Sequence, residues 1–212
     1  MKETLCLLFL FLASAALPAG ESVILVVGDS IGAAHGMPLE KGWVALLQRR
    51  LEKQGGAWKV VNASTSGDTT ANGLRRLPAL LERHRPEVVI LELGGNDGLR
   101  GLPLAHMERN LERMIELARA VGSRVLLLGI QLPPNYGERY TSAFAEVYRK
   151  LARRLDVPLV PSIVRGIGDD PGLMQADGIH PNAKAQPAIL ALIWPRLRPL
   201  LTGLQAAQRA AQ

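Results

Sequence analysis

Cysteine is nearly absent from this chain. Its single cysteine, Cys6, lies in the first apolar stretch, so the rest of the sequence has no disulfide and no thiolate for a nucleophile or a metal. Long apolar runs are missing too, since the stretch from Leu5 to Leu12 is too short to span a bilayer comfortably. Basic residues outnumber acidic ones by 25 to 19, giving a net charge of +6, yet no block of like charge forms. The cations are scattered through segments such as LQRRLEK and YRKLARRL, which read as solvated helix faces rather than a nucleic-acid footprint. Weak attraction to anionic lipid surfaces or acyl substrates stays open. The glycine-rich stretch GDSIGAAHG lacks both the Gly-x-Gly-x-x-Gly pattern and a Lys-Ser/Thr pair, and its Asp29 would repel phosphate. Nucleotide binding is therefore disfavoured. There is no internal repeat and no linker that would divide the chain.

What is present suits one domain. The 212 residues can bury a substantial core, and 48% hydrophobic with 21% charged residues is a globular composition. Residues 1–20, MKETLCLLFLFLASAALPAG, have a short charged start, an apolar centre and small residues near Ala15 and Ala16. That is the layout of a secretory signal peptide, with a buried first helix as the alternative. Cys6 precedes the small residues and would leave with the peptide, so no lipid-anchor site is expected. The reading is of an exported protein, periplasmic or secreted by a bacterium, monomeric and without a stable membrane anchor. The domain would cover 21–203, with a frayed tail over 204–212.

Five apolar segments read as strands, starting at Val23, Trp58, Glu87, Arg124 and Val157. They are nearly continuous rather than alternating, as expected of strands covered on both faces. Helical stripes separate them. Leu39, Trp43, Leu46, Leu47 and Leu51 share one face, ended by Gly55-Gly56. Leu104, Met107, Leu111, Met114, Ile115 and Ala118 form a second after Pro103, and Tyr140, Phe144, Val147, Leu151 and Leu155 a third. Alternating strands and helices predict an α/β fold with three layers, α/β/α, around a five-stranded parallel sheet. Right-handed crossovers would bring GDSIG, SGDT, GGND, QLPPNYG and DGIHPN to the edge formed by the strands' C-terminal ends.

Those clusters hold the parts of a nucleophilic site. A serine nucleophile needs a base, an acid to orient the base, and donors for the oxyanion. In DGIHPN, Asp177 and His180 lie close enough for one tight turn to join them, leaving the second imidazole nitrogen for Ser30. Pro181 biases His180 towards an extended conformation, and Asn182 is placed to cap the final helix. Ser30 and Gly67 can offer backbone N–H groups and Asn96 a side-chain amide to a developing charge. Each has an ordinary reading as a turn or cap residue; only their convergence argues for chemistry. His35, His84 and His106 read as bystanders, and Met174 as either core or acyl-groove lining. Gly28–Gly32 also fits the Gly-x-Ser-x-Gly elbow of α/β-hydrolases, but here the serine follows the first strand and acid and base share one turn, which that fold does not do.

GDSI, NASTSGDTT, ELGGNDGLRG and DGIHPN, in that order, resemble the four blocks of the SGNH, or GDSL, hydrolases. Within them the chain resembles the secreted multifunctional thioesterase I/lysophospholipase L1/arylesterase group, over residues 23 to about 200, with Ile31 in place of the usual leucine. The resemblance implies a flavodoxin-like sheet and a Ser30–His180–Asp177 relay with oxyanion donors from Ser30, Gly67 and Asn96. It implies hydrolysis of small esters, thioesters or lysophospholipids through an acyl-serine, without metal or other cofactor. It also implies that Pro133, Pro134, Asn135, Tyr136 and Gly137 form a substrate-groove loop. A glycan deacetylase and a catalytically silent acyl-chain carrier are the alternatives.

Overall fold

The computed structural model describes residues 22–210, with side chains through Leu204; the leader-like segment and Cys6 lie outside the described residues. The strands are β1 (Ser22–Gly28), β2 (Trp58–Asn62), β3 (Val88–Glu92), β4 (Arg124–Leu128) and a short β5 (Leu159–Val160). They form one parallel sheet in the order β2-β1-β3-β4-β5. That is the flavodoxin-like order, in which the chain reverses direction beside β1 and opens a cleft between the C-terminal ends of β1 and β3.

The helices are α1 (Trp43–Lys53), α2 (Thr70–His84), α3 (Gly95–Leu99), α4 (Leu104–Ala120), α5 (Glu138–Leu155) and α6 (Gln186–Ala210). The period of two along each strand sorts its residues between two cores. Ile24, Val26, Val88, Ile90, Leu126 and Leu128 pack under α1 and α6, against Trp43, Leu47, Ile189 and Ile193. Leu25, Val27, Val89, Leu91, Val125 and Leu127 face α2, α4 and α5, against Leu77, Met107, Leu111 and Phe144. Burial on both faces explains why these strands read as unbroken apolar runs. Among the described residues no helix is long and apolar enough to cross a membrane.

Some expectations change at element ends. Leu39 does not join the α1 face: it sits in a separate 3-10 turn, Leu39–Lys41, and is 65% exposed. Extended Gly42 (ψ 154°) stands between that turn and α1, so the helical phase restarts at Trp43. Asn182 does not cap α6 directly. Its Oδ1 accepts from Lys184 N at 2.9 Å, in a turn ahead of the helix, while its amide donates to the carbonyls of Gly172 and Met174. The tail expected to fray from residue 204 is helical as far as Ala210, consistent with its Leu, Ala, Gln and Arg content. GGND, read as a turn, includes the start of α3.

The end of β3 is braced from α5. Tyr148 is fully buried, and its hydroxyl donates to Leu93 O at 2.9 Å. Gly94, at φ 118°, leaves room for that hydroxyl where any Cβ would collide with it. Tyr148→Phe leaves a buried carbonyl without its donor and is expected to cost about 1–3 kcal/mol. The measurement is the urea midpoint, which should fall at constant m; an unchanged midpoint means that Leu93 O finds another donor.

Candidate active site

Ser30 heads the turn that leaves β1. Ala33 N donates to Asp29 O at 2.9 Å and His35 N to Ser30 O at 3.0 Å, while Ile31 N is taken by the Asp29 side chain at 3.1 Å. Ser30 N has no acceptor among the described residues, so the turn leaves one N–H free beside the hydroxyl.

His180 and Asp177 come from a loop held closed by short backbone bonds. Gln175 N donates to His180 O at 2.8 Å and Asn182 N to Leu173 O at 2.7 Å, with an antiparallel bridge between Met174 and Pro181. Asp177 Oδ2 lies 2.6 Å from His180 Nδ1, and His180 Nε2 lies 2.9 Å from Ser30 Oγ. An ionised Asp177 accepts the Nδ1 proton, which leaves the Nε2 lone pair facing the serine hydroxyl. Asp177 Oδ1 also accepts from Ile179 N and His180 N, at 2.9 and 3.0 Å. These backbone bonds, with the imidazole contact, hold the Asp177 carboxyl down at about 2.

Asn96 opens α3 at the end of β3. Its Nδ2 donates to Asp68 O at 3.0 Å and lies 3.4 Å from Asp29 Oδ2. Asp68 is locked in turn by Arg76 of α2, whose Nε and Nη2 reach Asp68 Oδ2 at 3.0 and 2.6 Å. Gly67, one residue earlier at φ 82°, has no acceptor for its N–H among the described residues. A cavity of about 160 Å³ opens beside Ser30, Asn96 and His180, walled by Leu99, Ile130, Leu132, Val164, Met174 and Ile179. Of the expected groove loop, Pro133 and Pro134 line this cavity but Asn135, Tyr136 and Gly137 do not. The segment Pro134–Tyr136 is one 3-10 turn, which spreads successive side chains around its axis so that they cannot all face one wall. Tyr136 instead braces that wall from outside, donating to Leu99 O at 3.0 Å.

Several residues at the site were not foreseen. His35 is no bystander in space, because its ring centroid is 4.5 Å from that of His180. Gln175 ties the His180 loop to the Ser30 turn by donating to His35 O at 2.7 Å; nothing in its sequence setting marks it. Glu92 had a signal, a lone acid inside the apolar run EVVILEL. It is wholly buried, and Oε2 accepts from Gly32 N at 2.9 Å and Asp29 N at 3.3 Å. Burial pushes Asp29 up to about 6. Burial, then the neighbouring Asp29 charge, pushes Glu92 well above the usual carboxylate range.

The profile of the GDSL-like lipase/acylhydrolase family matches residues 26–187. The chain is 56% identical over 183 residues to Esterase TesA of Pseudomonas aeruginosa, covering 86% of this chain and 91% of that one. It is 45% identical to an arylesterase of Vibrio mimicus over 91% of this chain and 96% of that one. It is 44% identical to thioesterase 1/protease 1/lysophospholipase L1 of Escherichia coli K12, over 86% of each. A crystal structure of TesA superposes with a TM-score of 0.83 at 56% identity, covering 84% of this chain and 99% of that one.

Asp177 supports a titration prediction. A carboxyl with a folded pKa below its unfolded value stabilises the fold above the unfolded value and loses that contribution as pH falls through the folded one. For Asp177 the window runs from about 4 down to about 2, and its 40% exposed side chain makes the stability effect small. Carboxyl carbon NMR should therefore show Asp177 ionised to about pH 3. A midpoint near 4 contradicts the two backbone bonds.

Proposed function

Because the chain belongs to the GDSL-like lipase/acylhydrolase family, we propose that Ser30, His180 and Asp177 form its acyl-transfer relay, with oxyanion donors from Ser30 N, Gly67 N and Asn96 Nδ2. The protein is a serine hydrolase of carboxylic esters and thioesters. The observation that carries the relay is its unbroken contact, 2.6 Å from Asp177 to His180 and 2.9 Å from His180 to Ser30, at the mouth of an apolar cavity.

Ser30 Oγ attacks the acyl carbon as its proton passes to His180 Nε2. Asp177 stabilises the resulting imidazolium and fixes its orientation without taking the proton. The tetrahedral oxyanion sits among the three donors. Collapse breaks the bond to the leaving oxygen or sulfur, which receives the proton from His180. Water then attacks the acyl-serine with His180 again as base, releasing the carboxylic acid and restoring Ser30. The apolar wall of the cavity supports acyl-chain binding there, so aryl esters, acyl thioesters and lysophospholipids are the substrate types to compare.

Wild-type protein treated with a fluorophosphonate should gain one adduct by intact mass, and Ser30→Ala none. Ser30→Ala and His180→Ala should each lose about 10³-fold or more in kcat. Activity within tenfold of wild type in either variant removes that residue from its role. We also propose export, supported by the layout of residues 1–20. Protein recovered from the periplasm or medium of an expressing bacterium should lack Met1 through about Ala16 by mass; a full-length product there contradicts a cleaved leader.

A further inference from the structure

The paired acids Asp29 and Glu92 take part in no step of acyl transfer, yet they lie directly behind it. Both are buried, Glu92 completely and Asp29 with 3% of its surface exposed. Glu92 Oε2 accepts from Asp29 N and Gly32 N, the amides that bracket Ser30 in the turn. A Cβ on either Gly28 or Gly32 would be driven into that oxygen and into Ser64 Oγ, so the glycines around the serine are matched to the buried acid. The Asp29 and Glu92 carboxyls bear on one another electrostatically, and Glu92 Oε1 is buried without another partner among the described residues, free to carry a proton towards Asp29. Asp29 Oδ1 accepts from Ile31 N, and Oδ2 accepts from Asn96 Nδ2 at the long distance of 3.4 Å.

The surroundings hold few charges to compensate two ionised acids. His180 bears on Asp29 electrostatically. Asp68 also bears on Asp29, but its own charge is met by Arg76. The Asp97 carboxylate is occupied by Thr70 N and Oγ1, and the Tyr148 hydroxyl by Leu93 O. The Ser64 hydroxyl is buried without a partner among the described residues. Three backbone N–H groups can carry one negative charge, whereas a second in the same dry site would be prohibitive. One proton therefore stays with the pair near neutral pH, on the more deeply buried Glu92.

Asn96 Nδ2 has two N–H groups, and Asp68 O holds one. The other must choose between Asp29 and the oxyanion. We propose that Glu92 is a positioning residue of the oxyanion hole: it fastens the Ser30 turn through Oε2 and gives a hydrogen bond to Asp29, so that Asp29 releases the Asn96 amide to the developing charge. The inference rests on the acyl-transfer reading above for its kinetic consequence, though not for the shared proton.

Glu92→Gln retains both functions, since the amide oxygen can accept from Asp29 N and Gly32 N while its N–H₂ donates to Asp29. Its kcat on an aryl ester should stay within about threefold of wild type. Glu92→Leu removes the Glu92 donor from Asp29, whose carboxylate then competes for Asn96, and should lose about 10²-fold in kcat, as for one lost oxyanion donor, with KM within about threefold. Infrared difference spectra of wild type minus Glu92→Gln at pH 7 should show the carbonyl band of a protonated carboxylic acid. The proposal is overturned by absence of that band, by a Glu92→Gln variant that loses about 10²-fold or more in kcat, or by a folded Glu92→Leu variant that keeps wild-type kcat. Should Glu92→Leu not fold, the glutamine variant and the spectrum decide. The band does not depend on turnover, and fluorophosphonate labelling of Ser30 reports separately on the hydrolase reading.

Discussion

The edge that carries Ser30 depends on the parallel register of β1 against β3. Gly28 is paired with Glu92, so both strands end at one level beside the sheet's switch point. Ser30 and Asn96 then leave the two ends into the same cleft. A slip by one residue would turn every side chain of β1 to the opposite core. Ile24 and Val26 would be exchanged with Leu25 and Val27, and both cores are fully packed. The hydrophobic sorting that defines the fold therefore also sets the distance between Ser30 and Asn96. The remaining strands act at longer range: β4 and β5 carry the loops that wall the cavity, and α2 supplies the Arg76 clamp on Asp68.

The strands, and the residues that meet at their ends, were legible in the sequence for a common reason. In a parallel three-layer fold the strands are apolar throughout, and polar clusters must follow their ends. Ser30, Asn96, Asp177 and His180 stand out because each breaks such a pattern with a short polar block. What was not legible depended on contacts between distant segments. Gln175 is an ordinary polar residue until the structure places His35 O within 2.7 Å of it. His35 reads as a bystander because, though close to Ser30 in sequence, it belongs to the following turn, whereas its neighbour in space is 145 positions away in the chain. Leu39 failed for a local reason: helical spacing was read through Gly42, whose extended backbone resets the phase. Glu92 was visible as an oddity, an acid within an apolar strand, but its meaning required knowing which amides pointed at it.

The site treats its carboxyls in opposite ways. Asp177 is partly exposed and fed by two backbone N–H groups, so it stays ionised and can support an imidazolium next to it. Asp29 and Glu92 are enclosed by the sheet and the Ser30 turn, so their negative charge is restrained. Two full charges behind Ser30 would oppose any negative charge developing in front of it. The difference in burial thus separates a carboxyl that stays charged beside His180 from a pair whose charge must be kept limited.

An apolar side chain could fill the Glu92 site more cheaply in desolvation terms, yet it would not serve this turn. Ser30 must be presented with its own N–H unpaired, which requires the chain to leave β1 abruptly instead of continuing the ladder. The abrupt exit leaves Gly32 N with no backbone carbonyl to accept it among the described residues. A buried N–H of this kind has to be satisfied by a side chain. The acceptor must reach from the neighbouring strand, fit where glycine leaves space, and avoid adding a full charge. A carboxylic acid sharing its proton with Asp29 meets all three conditions. The buried acid is thus a consequence of leaving the Ser30 amide exposed.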